Sequence, residues 1–263
     1  MRARLVVAYD GTGFRGFAVN DGVRTVAGTL TEAISTVMRQ EVILTGAGRT
    51  DAGVHAWGQV ISVDLPDATD LDDLARRLNK LCAPGIAVRS AKPVADDFDA
   101  RFSAHWRHYR YDVWNAAYPN PLLVARAWHV AAPLDIDRMN DAAQHCVGEH
   151  DFASFCRRPK GLGGAQKSQV DAGAAEPTLV RNVLSTGWTV ADPDGPLVRF
   201  EIRANAFCHQ MVRSIVGTLV DIGTGKLMSD DMPAILAARD RGSAGQVAPP
   251  HGLTLWEVGY SRR

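Results

Sequence analysis

Gly46-Ala-Gly48-Arg49-Thr50-Asp51-Ala-Gly53-Val-His55 is the stretch on which the reading of this chain turns. Three glycines stand around an Arg/Asp pair. Glycine lets the backbone adopt left-handed conformations and approach a ligand closely. An aspartate held in such a loop between strands is presented into a cleft. The same residues also make a tight turn in which Asp51 bonds backbone amides. Composition alone does not separate the two readings. The flanks are strand-like: a short run at 42–44 precedes the loop, and residues 60–65 alternate after it.

Working outward, residues 4–9 are β-branched and apolar and stop at Asp10-Gly11, which reads as a strand. Val26, Leu30, Ala33, Ile34, Val37 and Met38 have helical spacing, which predicts a helix over 26–39 with Thr25 as its cap. Residues 71–81 read as a helix capped by Asp70, and 86–94 as a strand. The second half repeats this grammar, with strands at 108–114, 183–190, 197–203 and 253–260. Helices are expected at 136–146, 207–222 and 232–239. No residue-level repeat links the halves. The alternation predicts an α+β chain with an N-terminal half over 1–102 and a C-terminal half over 103–263.

The chain has 263 residues, enough for one large domain or two small ones and for a core that needs no staple. It carries 29 Lys+Arg against 29 Asp+Glu, a net charge of zero. That excludes nucleic-acid binding by bulk positive charge, but not a local basic groove. Cys82, Cys146, Cys156 and Cys208 include no C-x-x-C pair, so they read as reduced, mostly buried thiols without structural zinc. No secretory signal is expected at the N-terminus, and no apolar run is long enough to span a membrane. A cytoplasmic protein is the expectation.

Two motifs are decoys. Gly11-Thr-Gly13-Phe-Arg-Gly16 fits the dinucleotide fingerprint, but no helix opens at Gly16. The run from Gly161 to Ser168 nearly fits a phosphate loop, but Gln166 stands where its second glycine belongs. The stretch 157–177 is the least patterned of the chain. It and Arg181 contribute five basic residues (Arg157, Arg158, Lys160, Lys167, Arg181) against Asp171 and Glu176. It reads either as a solvated loop or as a contact for an anionic partner.

Gly48-Arg49-Thr50-Asp51-Ala-Gly-Val-His55-Ala resembles the signature of the tRNA pseudouridine synthase A (TruA) family. Three further segments agree in order and spacing: Tyr9-Asp-Gly-Thr-Gly13, then Arg101-Phe-Ser-Ala with Arg107-His-Tyr109-Arg-Tyr111, then Ala204-Asn-Ala-Phe-Cys-His209-Gln-Met-Val-Arg213. The closing His251-Gly-Leu253 also fits, so the resemblance spans nearly the whole chain.

The resemblance implies a cofactor-free isomerase that needs no metal and converts uridine to pseudouridine at positions 38, 39 and/or 40 of the tRNA anticodon stem-loop. It implies two ferredoxin-like α/β halves sharing a central mixed, mostly antiparallel sheet, helices on one side, an active-site cleft between the halves, and a homodimer. By the family match Asp51 is the catalytic nucleophile, Arg213 its partner, Tyr109 the ring on the target base and Leu253 its apolar neighbour. Spacing alone does not choose between Tyr109 and Tyr111, which share a strand face. Whether Asp51 attacks C1′ or C6, or takes the C2′ proton, stays open.

Arg49 matches an arginine linked to flipping the nucleotide. Arg49, Arg107, Arg110, Arg157, Arg158 and Lys160 are the candidate RNA contacts, with compensating acids at Asp67, Asp70, Asp72 and Asp73. His55 and His209 have no assigned role. Departures from the family's pattern are Phe17-Ala18-Val19-Asn20, His105-Trp106 and the long 157–177 stretch, which bear on how RNA is held. The competing reading is a catalytically silent RNA-binding protein on the same scaffold.

Overall fold

In β1 (Arg2–Tyr9) every second residue is buried, Ala3, Leu5, Val7 and Tyr9 in turn, so one face of the strand belongs to the core. The computed structural model describes residues 1–157, 178–192 and 195–261. The expected basic stretch beyond Arg157, including Arg158 and Lys160, lies outside the described residues.

Local chemistry sets the helix boundaries. The Thr25 side chain accepts from the Gly28 N–H and starts α1 (Val26–Met38). Asp70 accepts from the N–H groups of Asp72 and Asp73 and starts α2 (Leu71–Leu81). The expected helix from 207 begins later, as α4 (Met211–Gly223). Gln210 takes a left-handed φ of 65°, so Phe207, Cys208 and His209 form a non-helical connection ahead of it. Helices α3 (Ile136–Gln144) and α5 (Asp231–Ala238) complete the set.

The other strands are β2 (Leu44–Gly46), β3 (His55–Asp64), β4 (Ile86–Pro93), β5 (Trp106–Trp114), β6 (Trp128–His129), β7 (Gly148–Asp151), β8 (Val180–Val190), β9 (Leu197–Ala204) and β10 (Leu253–Gly259). They form one ten-stranded sheet in the order β4-β1-β3-β10-β5-β9-β8-β7, with β2 on β3 and β6 on β5. Pairing is antiparallel except for β10 on β3 and β6 on β5. The chain is therefore α+β with a mixed, mostly antiparallel sheet, as expected. Strands β6 and β7 were not foreseen, because two- and four-residue strands leave no readable alternation. The division drawn near residue 102 falls between β4 and β5, and β10 pairs across it with both β3 and β5.

The five helices share one core with the sheet face that carries Leu5, Val7, Ile61, Tyr111 and Phe200. On the opposite face arginines lie over aromatic rings. Arg89 sits 3.9 Å from the Trp57 centroid and Arg110 3.6 Å from that of Trp256, with the two indoles stacked at 5.9 Å. Arg203 covers Trp106 in the same way. No helix among the described residues is long and apolar enough to cross a membrane.

One expectation is overturned. Cys156 and Cys208 are disulfide-bonded, with Cα atoms 5.7 Å apart; only Cys82 and Cys146 are free, and both are buried. The pair is 52 residues apart in sequence. The contact arises only when the chain after Phe155 meets the β9–α4 connection, where the Arg157 N–H donates to the His209 carbonyl.

Candidate active site

The loop between β2 and β3 is shaped by its glycines and by the N-terminal turn that lies over it. Gly53 has φ +79°, a conformation that disfavours side chains, and packs against Pro250. Gly16, at φ +102°, brings its backbone onto the loop; a Cβ there would stand 3.0 Å from the Thr50 carbonyl. That carbonyl accepts from the Phe17 N–H. Gly11 and Gly16 of the dinucleotide-like motif thus serve close backbone approach, whereas Gly13 faces open space.

Asp51 emerges from this loop with its carboxylate between two basic side chains. Arg213, in the first turn of α4, donates from Nη1 to Oδ2 at 3.1 Å. His209 places Nε2 3.4 Å from Oδ1. Arg213 is itself fixed, because its Nε donates to the Ala248 carbonyl at 2.7 Å. A guanidinium anchored at one nitrogen and paired through another orients the carboxylate as well as balancing its charge. The side chain of His209 is 48% exposed, against 13% for Arg213, so Oδ1 is on the open side.

Tyr109 and Tyr111 share a face of β5, as their spacing requires, but differ in use. Tyr111 is fully buried and donates its hydroxyl to the Pro249 carbonyl at 2.8 Å. Tyr109 meets the edge of Phe207, with ring centroids 5.0 Å apart. Burial pushes its phenol well above the ordinary tyrosine value, and nearby Tyr9 and Asp51 push the same way. Tyr109 is therefore a neutral phenol at physiological pH. Leu253 pairs with Tyr111 across β10 and β5 and lines the same inner face.

The candidate RNA contacts part company. Arg49 and Arg157 are exposed. Arg107 is not available in the same way. Its guanidinium donates to the carbonyls of Ala47, Arg101, Ala104 and Asn205, bracing the Asp51 loop against β5 and the β9–α4 connection. Arg110 points to the other face of the sheet, where it pairs with Glu201 at 2.5 Å and covers Trp256. Strand alternation puts it on the side away from Tyr109.

His55 is buried and ties three segments together. The Gly11 N–H donates to Nδ1 at 3.0 Å, which leaves Nε2–H to donate to the carbonyls of Ala125 and His251. Among the described residues no group of three or more His, Cys, Asp or Glu is placed to hold a metal ion. Sequence reasoning missed Gln59 and the contact of His209 with Asp51. Gln59 carried one signal: it is a polar residue next to the apolar run Val60-Ile61 of β3.

A family profile described as "tRNA pseudouridine synthase" matches residues 5–103 and 142–261. A tRNA pseudouridine synthase A from Cutibacterium acnes is 42% identical over 98% of this chain and 88% of its own length. Those from Bacillus velezensis and Bacillus subtilis are 40% and 38% identical, each over 99% of both chains.

Proposed function

The chain belongs to the tRNA pseudouridine synthase family, and we propose that it isomerises uridine at positions 38, 39 and/or 40 of the tRNA anticodon stem-loop with Asp51 as the nucleophile. The coarser statement, an isomerase that makes pseudouridine in tRNA, follows from membership. The observation that carries the finer one is the Asp51 carboxylate, held at 3.1 Å by an anchored Arg213 beside the buried ring of Tyr109.

The reaction breaks the bond between uracil N1 and ribose C1′, turns the base, and joins C5 to C1′. The proton on C5 is then lost and N1 gains one. A carboxylate suits the first stage, as a nucleophile or as an anion beside a developing sugar cation. Arg213 keeps Oδ2 engaged, which leaves Oδ1 toward the cleft. A stem uridine must first leave its stack, at a cost of a few kcal/mol. Base stacking on an aromatic ring returns about 1–3 kcal/mol, a role that fits Tyr109. Exposed Arg49, next but one to Asp51, is assigned to the flipped strand, and Arg157 to the flanking phosphates. Arg107 is reassigned to bracing and Arg110 to the opposite face, because their guanidinium groups are committed there.

The test uses unmodified tRNA with uridine at 38, 39 and 40. Wild-type protein should form pseudouridine without added metal or nucleotide, and Asp51→Asn should form none. Binding without product from the wild type would favour the silent RNA-binding alternative. Product from Asp51→Asn would show that another group is the nucleophile. We further propose a cytoplasmic homodimer. The sheet face that no helix covers among the described residues, where Trp57 is 45% exposed, supports a second copy there, and light scattering decides between one chain and two.

A further inference from the structure

Gln59 stands beside an irregularity in β3. Val7 pairs with Gln59 but Tyr9 pairs with Ala56, so β3 carries an extra residue at Trp57-Gly58. The bulge sends Trp57 outward and leaves Gln59 on the inner face with Ile61 and Val63, a re-aiming that bulges commonly perform. There Gln59 has no solvent exposure. Its Nε2 donates to the Gly48 carbonyl at 2.8 Å and stands 3.5 Å from the Tyr9 hydroxyl. Its Oε1 accepts from the Val60 N–H at 3.2 Å. The Tyr9 hydroxyl in turn meets Thr50 Oγ1 at 2.8 Å. Tyr9 and Thr50 are both buried.

Resting on the reaction assigned above, we infer that Gln59, Tyr9 and Thr50 are positioning residues for it, acting as one hydrogen-bonded unit that fixes the loop on both sides of Arg49. Gly48 is held before Arg49 and Thr50 after it, and Asp51 follows directly. With its neighbours pinned, Arg49 projects to solvent and Asp51 toward Arg213. All three members are neutral, so the unit sets geometry without changing the charge around Asp51. Buried polar groups cost free energy unless fully bonded, and a valine–phenylalanine core would fill this space without them. Displacing a reacting group by about 1 Å lowers a rate roughly 100-fold, which is the lever such a unit holds.

The experiment compares Tyr9→Phe, Thr50→Val, Thr50→Ser and the double variant Tyr9→Phe/Thr50→Val, with Leu30→Ala in α1 as a control that loosens the core without removing a member of the hydrogen-bonded unit. The expected result is a kcat about 10- to 100-fold lower for Tyr9→Phe and Thr50→Val, with KM for tRNA within about twofold. Thr50→Ser, which keeps the hydroxyl, should recover most of kcat, and the double variant should lose no more than the worse single one. Leu30→Ala should lower Tm and leave kcat near wild type. Wild-type kcat in Thr50→Val, or equal losses in Thr50→Ser and Thr50→Val, would overturn the inference. An inactive wild type would instead count against the assigned reaction. The positioning is then still read by amide exchange at residues 47–54, which should quicken in Tyr9→Phe, and unchanged exchange would refute it.

Discussion

At Asp51 the two carboxylate oxygens have different neighbours, an anchored arginine on one and a half-exposed histidine on the other. The residues around them predict behaviour beyond the effect of replacing Asp51 itself. Tyr109→Phe keeps the ring on the inner face but removes the phenol, so tRNA should still bind while kcat falls. A proton-handling group contributes on the order of 100-fold or more; equal kcat in binding-competent Tyr109→Phe would reduce Tyr109 to a stacking surface. Burial also raises the pKa of Tyr9, to about 12, and those of Tyr109 and Tyr111 further. An unfolded tyrosine titrates near 10. Above that pH the folded chain binds more protons than the unfolded one, so stability is intact below about pH 10 and falls as pH rises through the folded values. Denaturant midpoints between pH 9 and about 12 should show this decline, and it should be shallower in Tyr9→Phe. Asp51, Tyr109, Arg213 and Leu253 could be named as candidates because each sits in a motif, and the Asp51–Arg213 contact is the pairing that the motifs suggest. The bonds of Gln59 were not legible, since a polar residue on the inner face of a strand does not announce that its partners are Gly48 and Tyr9. Nor were the tasks of Arg107 and Arg110, which depend on carbonyls and an acid far away in sequence.

At the level of elements, caps and periodicity decided most boundaries. The extent of α2 follows from Asp70 at one end and from Leu74 and Leu78 on its buried stripe. Asp70→Ala leaves two N–H groups without that acceptor and should lower stability by about 1 kcal/mol, seen as a lower Tm with kcat unchanged. A drop in kcat would mean that α2 communicates with the cleft. The start of α4 was misplaced by four residues because Phe207-Cys-His209 continues an apolar helical pattern. Its actual conformation is imposed from outside, by the disulfide at Cys208, the ring of Tyr109 against Phe207 and the left-handed Gln210. That override is how His209 comes to face Asp51. The decoy at Gly11–Gly16 fails for want of a helix, yet only the fold shows Gly11 and Gly16 packed on the Asp51 loop.

For the molecule as a whole, net neutrality resolves into local pairing. Asp67 meets the N-terminal amine, Asp70 caps α2, and Asp73 pairs with Arg76 and Arg77, so these acids are occupied at the edge of the N-terminal half. Arg49 remains exposed, two residues before Asp51. The feature with the widest reach is β10, which lies between β3 and β5. A chain ending at residue 252 would expose two long strand edges and lose Leu253 from the inner face. It should aggregate and show no cooperative melt by circular dichroism, whereas two independently folding halves would predict a retained transition. No run of residues 1–102 could have revealed this, because the strand that completes that half is written some 150 residues later. The same arrangement sets a timetable for biosynthesis. While the ribosome is still at work, the Asp51 loop has been made but its sheet lacks a middle. The nascent protein therefore cannot act on tRNA, the molecule that is supplying its own amino acids, until residues 253–259 have been added.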